Sequence, residues 1–155
     1  MNLWLDPQGR LCHRHRLRVR FGECDPMQVA YHPNYLVWFH EARDALMTAL
    51  GVDLFGLARE GHAMPIVDAS CRYLHSARYG DELVVQAGLR LSGHVARVSC
   101  DFQITHARSG RLLATGTTVS AVLDRQGRML LRLPDSITHV LDRVRSAQLP
   151  EECPA

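Results

Sequence analysis

Asp25 and the segment His32-Pro33-Asn34 hold the residue types best suited to chemistry in this chain. They sit in the stretch FGECDPMQVAYHPNY, residues 21 to 35. Pro26 biases Asp25 toward an extended backbone. Seven residues after Asp25, the His-Pro-Asn step reads as a helix start, because proline suits a first turn and asparagine is a good cap. Backbone N–H groups at such an end have no intrahelical partner and carry the positive end of the helix dipole. They can therefore hold a developing oxyanion. A carboxylate beside a set of oxyanion donors is what acyl transfer needs. A thioester suits the pair, since its thiolate leaves without a strong acid. An Asp-Pro step before a helix is also an ordinary turn, and residue types alone leave both accounts open.

The flanking elements must position this stretch. Residues 11 to 21 alternate, with Leu11, His13, His15, Leu17, Val19 and Phe21 on one face and Arg14, Arg16, Arg18 and Arg20 on the other, which predicts a strand with one solvated face. The arginine row is best explained as a charged outer face that blunts an edge strand. Residues 34 to 50 predict a long helix, with Tyr35, Trp38, Phe39, Ala42, Leu46 and Ala49 at helical spacing. Leu36, Val37, Met47 and Leu50 widen its apolar surface, so it belongs in the middle of a fold. Gly51 is its expected C-cap. A loop follows over 51 to 63.

Four more strands are expected, over 64 to 77, 82 to 91, 95 to 106 and 111 to 124. Short turns at RYGD, SGH and ARSG separate them, and RQG closes the run. The first would turn Val67, Ala69, Cys71 and Tyr73 to one face. Gly116 inside the last suggests a bulge or a close backbone approach. A short helix over 135 to 145 would turn Ile137, Val140, Leu141 and Val144 inward. Short turns demand antiparallel neighbours. The fold class is therefore α+β, a five-stranded antiparallel sheet around one long helix, as a single domain over 1 to 155.

Bulk properties narrow the function. Hydrophobic residues are 46% and charged residues 22%, ordinary for a globular domain, and the net charge of +2 is too small to indicate nucleic acid. The arginine row lacks interleaved aromatics, so no nucleic-acid partner is expected. No apolar run is long enough to span a membrane, and the first ten residues do not read as a signal peptide. A cytoplasmic location is the default. Five cysteines at Cys12, Cys24, Cys71, Cys100 and Cys153 have no paired spacing, and nine histidines are scattered, so neither a disulfide framework nor a metal or other cofactor is expected.

The stretch FGECDPMQVAYHPNYLVWFHEAR resembles the signature of the hotdog-fold acyl-CoA thioesterases of the 4-hydroxybenzoyl-CoA thioesterase type. Phe21-Gly22, Cys24-Asp25-Pro26, Pro33-Asn34-Tyr35 and Trp38 carry the likeness. It continues through Met64-Pro65-Ile66-Val67, Tyr79, Asp81, Leu83 and Leu133-Pro134, about residues 15 to 145. The resemblance implies that a sheet wraps the central helix. It implies hydrolysis of an acyl thioester, with Asp25 as nucleophile or general base. His32 falls where the family places the backbone N–H that polarises the thioester carbonyl. A histidine there is similar to the Tol–Pal-associated branch, and its imidazole could also meet substrate or orient water. Tyr31, Tyr35 and Met64 would border the acyl pocket. The resemblance further implies a homodimer or homotetramer with active sites at the dimer interface.

Departures bear on the substrate. Phe21 stands where the Tol–Pal branch has a tyrosine, so any hydroxyl role is lost. Met27-Gln28 replaces a small Ala-Gly pair and should reshape the acyl pocket. The basic cluster that meets CoA phosphates in the 4-hydroxybenzoyl enzyme corresponds here to Gly93-His94-Val95. Arg97 and Arg128, with Arg90, are the candidates to replace it, and an acyl-carrier-protein thioester is the alternative donor. Glu41 is the rival carboxylate, because another hotdog branch uses a central-helix glutamate; the structural alternative pairs it with Arg43 or Arg72. His40, Asp44 and Asp68 are read as structural. A non-catalytic acyl-binding or protein-binding module and a hydratase built on His32 and a carboxylate are the competing functions.

Overall fold

Period-two alternation builds most of the chain, and the long apolar run builds the helix it encloses. The structure, a computed structural model, describes residues 3–91, 96–147 and 149–150. The SGH turn, Gly93-His94-Val95 and Cys153 lie outside the described residues. Six strands form one antiparallel sheet: β1 (Leu3–Leu5), β2 (Leu11–Arg18), β3 (Ile66–Tyr73), β4 (Glu82–Leu91), β5 (Arg97–His106) and β6 (Leu112–Ala121). Their spatial order is β1-β2-β4-β5-β6-β3. The sheet thus has six strands where five were expected.

The extra strand is β1, which pairs antiparallel with β2 in the register Leu3↔His13. Leu3 and Trp4 are buried. The Asp6 carboxylate accepts from the Gln8 and Arg10 N–H groups and closes the turn between them. β2 is consequently interior rather than an edge. Its arginines still face out, and Arg14 lies over the Trp4 ring at 5.4 Å. The strand also stops early: Phe21 begins a 3-10 turn over Phe21–Glu23 and is exposed.

Helix α1 (Asn34–Leu50) occupies the expected span, and Tyr35, Trp38, Phe39, Ala42, Leu46, Met47 and Leu50 are buried along it. Leu36 and Val37 are exposed instead of widening the core face. The helix packs on β2, β4 and β3, and Phe39 stacks on Phe102 of β5 with centroids 4.5 Å apart. Gly116 permits this contact: a Cβ there would overlap the Phe39 ring and the Ser70 carbonyl. Gly51 caps the helix at φ +80°, its N–H donating to the Met47 and Thr48 carbonyls.

The loop expected over 51 to 63 contains a second helix, α2 (Leu54–Arg59), capped by the Asp53 carboxylate accepting from the Gly56 N–H. Strand β3 is shorter than the expected span of 64 to 77. Of Val67, Ala69, Cys71 and Tyr73, only Cys71 is half-buried and the rest are exposed. β3 is the outer strand of the sheet, and among the described residues only Cys71 and the ring of Tyr73 on that face meet the rest of the fold, at the core and at Tyr35 and His32. Helix α3 (Asp135–Ser146) lays Ile137, Leu141 and Val144 against the core. Among the described residues no helix is long and apolar enough to cross a membrane.

Candidate active site

Asp25 is held by its own loop. The Asp25 N–H donates to the Val29 carbonyl and the Gln28 N–H to the Asp25 carbonyl, both at 2.9 Å. A Cys24↔Ala30 bridge closes the base of this small hairpin. Asp25 Oδ1 accepts from the Met27 N–H at 2.8 Å. Gln28 takes a left-handed backbone at φ +63°, a conformation that a non-glycine residue adopts only when its surroundings hold it there. The Ala30 N–H then donates to the Ala77 carbonyl, which docks the hairpin on the segment before β4.

Glu23 joins this hairpin to the helix. Its carbonyl accepts from the Tyr31 N–H and from Asn34 Nδ2, both at 2.8 Å. Its carboxylate accepts from the Trp38 indole N–H at 3.1 Å and from the Arg20 N–H at 2.7 Å. Asn34 is therefore the first helical residue and a tether, not a side-chain cap; Pro33 occupies the cap position. Asn34 and Trp38, which looked like motif residues, serve to hold Glu23 two positions before Asp25.

Asp25 and His32 line one cavity of about 270 Å³, together with Met27, Val29, Tyr35 and Tyr73. The Tyr31 and Asn34 N–H groups are taken by the Glu23 and Tyr31 carbonyls. Among the described residues no acceptor meets the His32 N–H. An N–H without a partner, at the start of a 17-residue helix and on the wall that Asp25 shares, suits an oxyanion. The His32 carbonyl accepts from the Tyr73 hydroxyl at 2.9 Å. The His32 ring meets the edges of Tyr31 at 4.9 Å and Tyr73 at 6.2 Å. Burial and the Cys71 thiol push the Tyr73 phenol up to about 12, so it stays a donor at neutral pH.

The other candidates separate. Tyr35 borders the cavity, but its hydroxyl accepts from the buried Ala77 N–H at 3.1 Å. The Tyr31 side chain is exposed, and its ring meets the His32 ring. Met64 lines a different cavity, between α1 and α2. Arg97 begins β5. Arg128 pairs with Asp124 at 2.9 Å in the turn after β6. Neither arginine lines the Asp25 cavity, and Arg90 is paired with Asp101. Glu41 faces His15 at 3.6 Å and Arg20 at 3.9 Å, not Arg43 or Arg72. Beside it runs a basic groove lined by His15, Arg16, Arg18, Arg20, Glu41 and Tyr79. Glu23 and Tyr73 were not singled out from the sequence. Their partners lie 15 and 41 residues away, with no local spacing to reveal them.

Comparison with known proteins places this geometry in a family. Residues 19–152 match the Thioesterase-like superfamily. A 1,4-dihydroxy-2-naphthoyl-CoA hydrolase from Synechococcus elongatus is 31% identical over 121 residues, which are 77% of this chain and 87% of that protein. "Putative acyl-CoA thioesterase YneP" from Bacillus subtilis is 38% identical over 69 residues, 44% of this chain and half the length of that protein. Among solved structures, a 1,4-dihydroxy-2-naphthoyl-CoA thioesterase from Synechocystis superposes with a TM-score of 0.79 at 23% identity, covering 86% of this chain and 98% of its own. The chain belongs to the Thioesterase-like superfamily, and its α+β layers are those of the hotdog fold.

Proposed function

We propose that this chain is an acyl-CoA thioesterase in which Asp25 acts as nucleophile or general base and the His32 N–H holds the oxyanion. The observation that carries this is the shared cavity: it is lined by the half-buried Asp25 and by His32, whose N–H has no acceptor among the described residues. The carboxylate is fixed by the Asx turn to Met27 and leaves Oδ2 available to attack the carbonyl carbon or to take a proton from water. Charge passing to the carbonyl oxygen meets the His32 N–H, which Tyr73 steadies from the carbonyl side of the same residue. The thiolate then leaves.

Within the superfamily the Cys24-Asp25-Pro26 step and His32 favour the 4-hydroxybenzoyl and Tol–Pal-associated types. The Synechococcus relative acts on an aromatic thioester of coenzyme A, which supports CoA as the donor here. For the CoA phosphates we favour the groove that gathers Arg16, Arg18 and Arg20 over Arg97 and Arg128, which stand on separate elements. Tyr31 and Tyr35 border the acyl entrance.

The active unit is a homodimer or homotetramer with sites at the dimer interface. β3 supports this, since it ends the sheet with Ile66, Val67 and Tyr73 exposed, and Tyr73 also borders the Asp25 cavity. Free thiols at Cys12, Cys24, Cys71 and Cys100 suit the reducing cytoplasm. Thiol release from aromatic, short-chain and long-chain acyl-CoAs tests the function. Hydrolysis of at least one class is expected; silence across the panel would leave the fold without this reaction.

A further inference from the structure

His75 stands in the segment between β3 and β4 and lines the same cavity of about 270 Å³ as Asp25 and His32. Its backbone is fixed, because the Leu74 and His75 N–H groups both donate to the Leu113 carbonyl, at 2.8 and 3.0 Å. Its ring is fixed as well: an Arg111 guanidinium nitrogen lies 3.0 Å from His75 Nδ1. Arg111 belongs to the turn between β5 and β6. There its carbonyl accepts from the His106 N–H at 2.9 Å, and its own N–H donates to Ser109 Oγ at 3.3 Å. The end of β6 and the turn before it thus hold one imidazole at the wall that Asp25 and His32 share.

The Arg111 contact decides what this ring can do. A guanidinium carries donors and no acceptor. Nδ1 of His75 must therefore accept from Arg111, and the ring proton sits on Nε2. In this tautomer the imidazole has one N–H to give and no lone pair left to take a proton from water. It is a donor and not a base. Among the described residues no partner meets Nε2. His75 is also exposed, so a ligand in the cavity can reach it. A neutral imidazole N–H of fixed orientation suits the oxygen of a carbonyl on which charge develops.

We propose that His75 Nε2–H is a second donor to the oxyanion, beside the His32 N–H, and that Arg111 is the positioning residue that fixes its tautomer. This rests on the thioesterase reading and adds a catalytic residue to it. Asp25 attacks the carbonyl carbon, or takes the proton of an attacking water. The carbonyl π pair moves to the oxygen, where the His32 N–H and His75 Nε2–H meet it. When the carbonyl reforms, the carbon–sulfur bond breaks and the thiolate leaves with its electron pair. No proton passes to or from His75. The two side chains therefore divide the work: the Asp25 carboxylate supplies the nucleophile or base, and the His75 imidazole only donates.

The test uses the full-length protein and two readouts. In the first, long-range ¹H–¹⁵N spectra of the histidine rings at pH 8 identify the His75 tautomer in wild type and in Arg111→Met. Wild type should show Nε2–H with a bare Nδ1, and Arg111→Met a mixture of the two tautomers. In the second, kcat and KM for the best acyl-CoA of the panel are measured in His75→Phe, His75→Gln, Arg111→Met and the double variant His75→Phe with Arg111→Met. His75→Phe keeps a ring and loses the donor, so kcat should fall about 10- to 100-fold with KM little changed, the worth of one hydrogen bond to a charged oxygen. His75→Gln restores an N–H near the place of Nε2 and should recover part of that loss. Arg111→Met should slow wild type but leave His75→Phe no slower than before, because it acts only through the imidazole. Both side chains are exposed, so the variants should melt as wild type does. A wild-type ring protonated on Nδ1, an unchanged kcat in His75→Phe, or the same loss from Arg111→Met in both backgrounds overturns the proposal. If His75→Phe does not fold, the comparison of His75→Gln with wild type and the wild-type tautomer decide. Hydrolysis that depends on Asp25 but not on His75 defeats this inference alone. Silence on every acyl-CoA defeats the thioesterase reading, and the donor role with it.

Discussion

The Tyr73 hydroxyl, on the outermost strand β3, donates a 2.9 Å hydrogen bond to the carbonyl of His32, two residues before the first residue of the central helix. One residue thus has its carbonyl held by the sheet while its N–H meets no acceptor among the described residues. Tyr73→Phe removes the tether without emptying the space. One neutral hydrogen bond is worth about 1 kcal/mol, so kcat for thioester hydrolysis should fall about fivefold with little change in KM. Steady-state thiol release checks this. An unchanged kcat would mean that the His32 peptide needs no such support.

Glu23 holds the hairpin of Asp25 against α1 through the Trp38 indole, and Trp38 is 1% exposed. Glu23→Ala would leave a buried indole N–H without an acceptor. A cost of about 2 kcal/mol is expected, typical of a lost charge-assisted bond and an orphaned donor. Urea unfolding followed by tryptophan fluorescence measures it. Activity should fall further than stability explains, because the same residue fixes the approach to Asp25.

Gly116 lies where Phe39 of the helix meets the β6 backbone. Gly116→Ala places a methyl into the Phe39 ring and the Ser70 carbonyl. Overpacking of this kind costs about 1–3 kcal/mol. Thermal unfolding should show the loss, and Gly22→Ala serves as a control, since a Cβ there meets nothing within 4 Å and its backbone is not left-handed.

His13 supplies a pH dependence of stability. Burial, and then the nearby His15, hold its pKa below the ordinary 6.5. Below pH 6.5 the unfolded chain takes up a proton that the fold resists, so the unfolded state binds more protons and stability falls as pH falls. The loss starts near 6.5 and levels off below the lowered folded value. His13→Leu should flatten the curve between pH 7 and 5 in urea titrations, and a parallel curve would assign the acid sensitivity elsewhere.

The helix was legible because seventeen residues carry many turns of periodic signal, and its bounds fall where the apolar pattern and Gly51 put them. β4 was legible for the same reason. β1 was not, since three residues cannot display a period. Nor was α2, six residues long with Gly56 inside it, although Asp53 marks its cap. The alternation of β3 was read correctly as strand, but its exposure was not legible, because burial depends on what covers a face, and β3 is an outer strand. Asp25 and His32 could be paired from their spacing, seven residues apart across a turn. Glu23 and Tyr73 could not: each acts through a contact that only the packed chain defines.

Thiol release by wild type and Asp25→Asn, side by side on the best acyl-CoA substrate, tests the central claim most directly. Asparagine keeps the size of the side chain and an oxygen for the Met27 N–H, while removing the nucleophile and base. A fall of at least about 100-fold is expected in a variant that unfolds as wild type does, in line with the loss of a general base or nucleophile. Full hydrolysis by Asp25→Asn would contradict the assignment and return the reaction to another carboxylate.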